Sequence, residues 1–469
     1  MIVYRVFETP YNKYLYDRNQ NAIVRISDAE YELLNEGDVE NSLLDSLKER
    51  GLLLESIIKE IEHPFTDRVD YYTDKRLFQM ILQVTQCCNL RCSYCAYSGE
   101  YEHRGHSNAN MSWDVAKKAI DMFVQRSRNN KIIALGFYGG EPLLRFELIK
   151  QCVAYLKEQV PDKELIFTMT TNGTLFTREI AEYLSKDKWK IVISLDGSQK
   201  DHDKNRKFAD GSGSFDIIMK NVKEVKELFP ELVKNITFNA VLNVNSNYSC
   251  VRDYFETSDV VCDSDFMLNT VVTENRKDKN LMFGTDYFLG RYYDYYLMLM
   301  NMIGKCRSEY VPKSLKTEES QIINFYKSLH TTEVTGRKCH HSGPCIPGKQ
   351  RLFVSTEGKV YPCEKVPESH DMEIGNLDEG FDLNKVRKIL NIGALSEKEC
   401  LQCWAIHHCK ICVNNCVCEG KLAANEKVSY CKGSQEFALE RLKQVCLLKE
   451  MKYDFGRYNF EENSNISNK

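Results

Sequence analysis

The sequence predicts an α/β fold: a (βα)6-type partial barrel, with a winged-helix-like module in front of it and a cysteine-rich C-terminal domain behind. Three observations predict it. Short apolar runs alternate with amphipathic stretches over residues 78–272, the pattern of repeated strand–helix units. Turns bearing glycine and asparagine follow the apolar runs, where such folds carry their chemistry. The 19 cysteines are unevenly spread, with crowds at residues 87–95 and 339–446.

With 469 residues the chain has room for about two to four domains. A net charge of −4 argues against nucleic acid as the main partner. The opening Met1-Ile2-Val3-Tyr4-Arg5 runs straight into mixed polar sequence, so no secretory signal is expected. The most apolar later stretch, 287–303, contains Arg291 and Asp294, so no membrane span is expected. A cytoplasmic protein follows, and there so many thiols read as metal ligands rather than disulfides. The expected organisation is a winged-helix-like module at 1–65, the partial barrel at 76–275, a helical bridge at 276–335, the cysteine-rich domain at 336–446 and a tail at 447–469.

Residues 1–7 and 13–26 read as short strands with a turn at 17–21. Ser27 and Glu30 form a capping box that opens a helix to about residue 35. A second helix is expected at 39–50, with Val39, Leu43, Leu44 and Leu47 on one face and Gly51 as its stop. A third apolar-periodic segment at 52–62 completes three helices beside a small sheet. Such a unit is too small for an active site of its own. It reads either as a packing extension of the main domain or as a docking module whose exposed strand edge accepts an extended peptide.

Barrel strands are expected at 78–84, 132–138, 165–170, 191–195, 236–244 and 266–272. Helices are expected at 113–126, capped by Ser112, and at 146–159, 177–185, 215–228 and 249–257. Gly139-Gly140-Glu141-Pro142 follows the second strand: two glycines permit close backbone approach to a ligand, and Glu141 offers a carboxylate. Thr171-Asn172-Gly173-Thr174 follows the third strand and Ser194-Leu195-Asp196-Gly197 the fourth, trailed by 202–206 and 211–215. Each alone is an ordinary turn; their order behind one cysteine loop is the signal. Residues 281–326 read as mostly helical, and Tyr287, Tyr292, Tyr293, Tyr295 and Tyr296 are expected in helix packing rather than in a substrate wall.

Cys88, Cys92 and Cys95 form C-x-x-x-C-x-x-C after the first barrel strand. Three thiolates on one loop can hold three corners of an iron–sulfur cube, leaving one iron without a ligand from the loop. An open metal position is a reactive one. Cys87 is out of register, because its partner four residues on would be Arg91. On spacing alone a structural zinc knuckle stays open. Further on, Cys339 and Cys345 precede a hairpin expected at 351–363, turning at Glu357-Gly358 and leaving Cys363 past its second strand. Cys400, Cys403 and Cys409 follow as C-x(2)-C-x(5)-C, then Cys412, Cys416, Cys418 and Cys431. This field can take zinc or iron–sulfur clusters. Cys152, Cys250, Cys262 and Cys306 are expected as small buried apolar residues. Cys418 and Cys446 receive no role. His340, His341, His407 and His408 are expected at the surface or behind the ligands. An amphipathic helix at 435–451 and a polar, disordered tail at 461–469 close the chain.

Over residues 78–272 the chain resembles the radical SAM superfamily. On that resemblance Cys88, Cys92 and Cys95 hold the cluster and Tyr94 packs near the adenine. Gly139, Gly140 and Glu141 hold the methionyl amino group, Asn172 and Ser194 contact ribose or carboxylate, and Arg206 pairs with the methionyl carboxylate. The C-terminal field resembles the SPASM extension, which carries up to two auxiliary [4Fe–4S] clusters. Cys339, Cys345, Cys363 and one later cysteine would hold the first; Cys400, Cys403, Cys409 and Cys431 would hold the second. The pattern asks for a cysteine where this chain has Val413, so Cys412 or Cys416 must serve, with Cys412 preferred. An incompletely ligated first cluster could bind a substrate thiolate. Glu364 stands where the sulfatase-maturing relatives carry a carboxylate base. The front module resembles the leader-recognition element of peptide-maturing enzymes.

The resemblance implies an S-adenosyl-L-methionine-dependent oxidoreductase with one SAM-binding and two auxiliary [4Fe–4S] clusters. It implies a ribosomally made precursor peptide as substrate and a flavodoxin- or ferredoxin-like electron donor; the charge balance and the lack of an expected membrane span add that no nucleic-acid or membrane partner is expected. The expected reaction is hydrogen abstraction followed by an oxidative crosslink, a cysteine thioether ahead of a carbon–carbon link. Two alternatives stay open: a sulfatase-type maturase forming formylglycine, and a non-enzymatic zinc-rich interaction protein.

Overall fold

The structure, a computed structural model, describes residues 1–278, 281–331 and 336–457; the tail expected at 461–469 lies outside them. Three antiparallel strands, β1 (Tyr4–Glu8), β2 (Lys13–Asp17) and β3 (Ala22–Ile26), form a first sheet in the order β1-β2-β3. The capping box is present, with Glu30 accepting from the Ser27 amide at 2.6 Å, and the helix Asp28–Glu36 ends on a left-handed Gly37. The helix expected at 39–50 shrinks to the short turns Ser42–Leu44 and Asp45–Glu49 and leaves Leu43 exposed.

Residues 52–62 are not helical. They run extended into β4 (Glu60–Ile61), which pairs in parallel with Lys338–Cys339. The amides of Lys59 and Glu62 bond to the carbonyls of Arg337 and Cys339, at 2.8 and 3.0 Å, instead of to carbonyls four residues back. Ile58 and Ile61 are buried against Cys339 and Cys400. One face of the first sheet packs on Leu34, Leu44, Leu47 and Leu52. The other, through Phe7 and Tyr16, packs on the helices Thr285–Met302, Lys316–Thr331 and Cys431–Glu450.

The main sheet contains β5 (Gln79–Thr85), β6 (Ile132–Gly139), β7 (Glu164–Thr171), β8 (Trp189–Ser194), β9 (Ile236–Leu242) and β10 (Asp265–Thr270), parallel and adjacent in chain order. Helices Trp113–Arg126, Phe146–Gln159, Arg178–Leu184, Phe215–Leu228 and Tyr248–Thr257 connect them, and one further helix, Gln199–Asn205, follows β8. The sheet does not close on itself. After β11 (Lys338–Cys339) the chain places β12 (Arg351–Val354) on the free edge of β5, in parallel, with Arg351 opposite Gln79. The hairpin partner β13 (Lys359–Tyr361), then β14 (Gly375–Asn376) and β15 (Gly380–Phe381), extend the sheet to ten strands. The hairpin turns at Glu357-Gly358, with Gly358 at φ 84°.

Along β7, β8 and β9 burial largely alternates, whereas β5 and β6 are buried almost throughout. Met80, Leu82, Ile133, Leu135, Phe167, Ile191 and Phe238 lie in the main core. On the opposite face Gln79, Tyr138, Thr168, Thr170, Thr237 and Asn239 are only half-buried. A parallel sheet covered on both faces would be apolar throughout. This one has a polar inner face that lines a space, as in a small barrel.

Two expectations need correction. Tyr287 is buried, but Tyr292, Tyr293 and Tyr296 are each more than half exposed, because a surface helix turns only one stripe toward the core. Cys152 is buried, whereas Cys250 is exposed and Cys262 and Cys306 are half-buried on the surface.

Candidate functional site

β5 runs directly into the loop that carries Cys88, Cys92 and Cys95. The Gly140 amide donates to the Thr85 carbonyl at 2.8 Å and the Glu141 amide to the Cys87 carbonyl at 2.9 Å. A Cβ on Gly139 would stand 2.1 Å from the Thr85 oxygen, and one on Gly140 2.0 Å from the Cys87 oxygen. The close approach these glycines permit is therefore to the cysteine loop itself. The Leu90 and Tyr97 amides donate to Cys88 Sγ and Cys95 Sγ, each at 3.4 Å. Burial raises the pKa of all three thiols, Cys88 to about 12 and Cys92 to about 11, so metal loading must release protons.

Asp196, which the sequence reading left in a turn without a role, is the hub beside this loop. Its carboxylate accepts from Arg206 Nε at 3.0 Å, from the Val241 amide at 3.1 Å and from the Tyr94 hydroxyl. The Arg206 guanidinium lies 5.3 Å over the Tyr94 ring, with Nη1 3.9 Å from Cys92 Sγ. Buried His202 bonds the Asp196 amide at 3.2 Å and the Ser214 hydroxyl at 2.9 Å, and Ser214 donates to the Arg206 carbonyl at 2.8 Å. An Asp-Gly pair just past a strand end was the available sign of this role.

Glu141 is completely buried. It accepts from the Thr171 hydroxyl at 2.7 Å and from the Asn172 and Leu143 amides at 2.7 and 3.0 Å. Among the described residues no cation pairs with it, and burial lifts its pKa to about 7. A ligand ammonium at this strand end would complete it. Asn172 Nδ2 reaches Asn89 at 2.8 Å and Cys88 Sγ at 3.8 Å. Ser194 ends β8, buried, opposite Asn239.

On the inner face Glu364 follows Cys363. One carboxylate oxygen is bonded by Arg351 Nη1 at 2.6 Å; the other is buried without a partner among the described residues. Arg351 also reaches Gln79 at 3.2 Å. Arg104 donates to the carbonyls of Glu364 and Val366, each at 2.6 Å. Tyr138 completes this group: burial lifts its phenol to about 12, and Arg104, Glu364, Cys95 and Cys363 are the charges around it. The end of the cysteine loop and Cys363 thus face the same space.

In the C-terminal field Cys400, Cys403, Cys409 and Cys431 line one cavity of about 170 Å³ together with His341, Lys427 and Gln435. His341 Nε2 is buried there without a partner. Gln435 Nε2 donates to Cys403 Sγ at 3.5 Å and Lys427 Nζ to Cys400 Sγ at 3.3 Å. Four soft donors and an orphaned imidazole fit an iron–sulfur cluster. Elsewhere Cys412 is the thiol neighbour of both Cys345 and Cys363; burial raises the pKa of both, aided next by Cys412 at Cys345 and by Glu364, ahead of Cys412, at Cys363, which reaches about 11. Cys339 is not with them but is buried beside Cys400 and Arg18. Cys416 is buried, 3.3 Å from the Cys412 carbonyl. Cys418 is exposed and Cys446 lies in a helical core. His340, His341 and His408 are buried, none of them at the surface. Among the described residues no three His, Cys, Asp or Glu side chains converge closely enough to share one ion; a cube asks only that each thiolate reach its own iron. A larger open depression of about 570 Å³ around Lys157, Lys163 and Glu164 carries no thiol and lies at the opposite strand ends.

The profile of the radical SAM superfamily matches residues 82–256. These residues form a radical SAM domain. Along most of its length it is similar to the cysteine-type anaerobic sulfatase-maturating enzyme of Clostridium perfringens, at 24% identity over 76% of this chain and 94% of that one. It is equally similar to the radical SAM cyclopropyl synthase TigE of Paramaledivibacter caminithermalis, at 24% identity over 79% of this chain and 75% of that one. In fold it is similar to the solved structure of native anSMEcpe with bound AdoMet, with a TM-score of 0.57 and 21% identity over 79% of this chain and 99% of that one. Radical SAM chemistry runs on a [4Fe–4S] cluster and S-adenosylmethionine, and the loop thiols with the uncompensated Glu141 fit that pair. The reading as a non-enzymatic zinc-rich protein is thereby overturned. No helix among the described residues is long and apolar enough to cross a membrane.

Proposed function

We propose that this radical SAM enzyme acts on a ribosomally made peptide, removing a hydrogen from carbon and closing a thioether to a cysteine sulfur. The observation that supports this reading most is Glu364, with one buried oxygen that has no partner among the described residues, close to Tyr138, which also has Cys95 and Cys363 as neighbours. When bound, the clusters and S-adenosylmethionine supply a hydrogen-abstracting radical and an acceptor for one electron. Cys88, Cys92 and Cys95 would hold the first cluster, Glu141 would take the methionyl ammonium, and Arg206, fixed by Asp196, would keep its remaining nitrogens toward the carboxylate. The free oxygen of Glu364 takes the substrate thiol proton, while Arg351 keeps that carboxylate in place. The substrate loses one C–H hydrogen atom, one S–H proton and one electron, and gains one C–S bond. Cys345, Cys363 and Cys412 would leave a position open for the substrate sulfur at the first auxiliary cluster, and Cys400, Cys403, Cys409 and Cys431 would hold the second. On the first sheet, the outer edge of β3 has no strand partner among the described residues, whereas the β1 edge is partly taken by the Ser56 amide on the Met1 carbonyl at 2.9 Å. A leader would therefore add as a strand beside β3. The electron donor would be flavodoxin- or ferredoxin-like.

Formylglycine formation is the second reading, favoured by the similarity to nearly the whole of the C. perfringens sulfatase-maturating enzyme. Mass spectrometry of a cysteine-bearing precursor peptide after co-expression separates the two. The expected result is loss of two hydrogens with a thiol that no longer alkylates. Exchange of sulfur for oxygen to give an aldehyde would overturn the thioether in favour of formylglycine.

A further inference from the structure

Two buried cations stand at the four-cysteine cavity, and among the described residues no carboxylate forms a hydrogen bond or ion pair with either: Glu399, which also lines the cavity, is exposed, and Asp17, beside Arg18, accepts from the Gln20 and Leu53 amides instead. Arg18, in the turn after β2, is fully buried. Its guanidinium donates to the carbonyls of Leu401 at 2.7 Å and Cys403 at 3.4 Å and to the Ser56 hydroxyl, and its Nε has no partner. Lys427, in the helix Ala424–Ser429, is 1% exposed, and its Nζ donates to Ser396 Oγ at 2.5 Å and to Cys400 Sγ at 3.3 Å. With protonated thiols every one of these acceptors is neutral. A buried charge without a counter-charge is strongly destabilising. One of these cations lines the cavity and the other backs the loop that carries Cys403, so an anion in the cavity would neutralise both.

We infer that Arg18 and Lys427 are the counter-cations of an anionic iron–sulfur cluster held by Cys400, Cys403, Cys409 and Cys431, and that the N-terminal module is thereby part of that cluster's site. This rests on the reading that those cysteines hold a cluster. Packing ties the same two regions. His407 Nε2 bonds the Arg18 carbonyl at 3.0 Å, and the Tyr16 ring meets those of Trp404 and His408 at centroid distances of 6.0 and 5.4 Å. The sheet proposed to dock a peptide and the loop proposed to hold a cluster are in direct contact.

A merely structural lysine or arginine changes stability in the same direction with or without iron. Counter-cations change it in opposite directions. Metal-free Lys427→Met melts above metal-free wild type, and iron-loaded Lys427→Met melts below iron-loaded wild type; Arg18→Leu behaves alike. In loaded protein the auxiliary cluster's signal, followed by electron paramagnetic resonance in a redox titration, moves to more negative potential. The expected change is at least tenfold in the reduction equilibrium, about 59 mV for one electron. Lys427→Arg and Arg18→Lys return it toward wild type. A same-sign stability change in both forms, or an unmoved potential, overturns the inference. Iron and sulfide analysis of Cys403→Ala separates this from failure of the cluster assignment. If that variant keeps the full iron and sulfide content, the assignment is wrong. If it loses one cluster's share while Lys427→Met moves nothing, only the counter-charge is wrong.

Discussion

The two cysteine-bearing regions are built in opposite ways and leave opposite charges unmatched. The loop after β5 takes its thiols from one short stretch and stands beside Glu141, a buried carboxyl with no cation among the described residues. The C-terminal field gathers its thiols from separate elements and stands beside Arg18 and Lys427, buried cations that no carboxylate bonds among the described residues. Because an unpaired buried charge is costly, it states the sign of what it is meant to meet. The first region is made for a cationic ligand, such as a sulfonium bearing an ammonium; the second is made for an anionic one.

This contrast can be tested in descending order of effect. Cys88→Ala should reduce 5′-deoxyadenosine formation to background while the iron of the C-terminal field is retained; loss of both iron pools would show that the regions are not independent. Glu364→Gln should lower peptide product by about 10²–10⁴ while 5′-deoxyadenosine still forms, and equal loss of both in a product assay would remove its role as base. Cys412→Ser should cost one auxiliary cluster's share of iron, and Cys416→Ser should cost none; the reverse in elemental analysis would move the ligand to Cys416. The smallest effect is a pH dependence. Burial holds the Glu141 carboxyl at about 7 rather than 4.5. Its neutral form therefore supports the metal-free fold fully below about pH 4.5, and that support is lost as pH rises through 7. The total change across that range amounts to about 3 kcal/mol. Urea melts from acid to pH 8 should show it in wild type and a flatter profile in Glu141→Gln.

Legibility follows how local each cause is. The helices Trp113–Arg126, Phe146–Gln159 and Phe215–Leu228 start and stop where the sequence reading puts them, because the cap at Ser112 and the alternation of apolar runs are short-range features. Residues 52–62 misled because Leu52, Ile58 and Ile61 imitate helical spacing, whereas the partners of Ile58 and Ile61, Cys339 and Cys400, lie hundreds of residues away. Cys88, Cys92 and Cys95 were legible as a spacing. Arg18 and Lys427 were not, since nothing adjacent in sequence marks a charged side chain as buried, and Asp196 carried only the sign of an Asp-Gly pair past a strand end. The same contact bears on how peptide docking is tested. A chain lacking residues 1–65 loses Arg18 together with the proposed docking edge, so Arg18-sparing changes at β3 are the cleaner probe.

The pairing of β12 with β5 has a consequence for how the protein is made. β5, the strand leading into the reactive loop, is translated early, yet one of its edges finds its partner only when residues 351–354 have emerged. Such distant pairing slows folding and leaves an unpaired strand edge waiting meanwhile. Synthesis therefore completes the enclosure of the loop-bearing strand only after most of the chain has left the ribosome, and insertion of iron into a finished site must come later still.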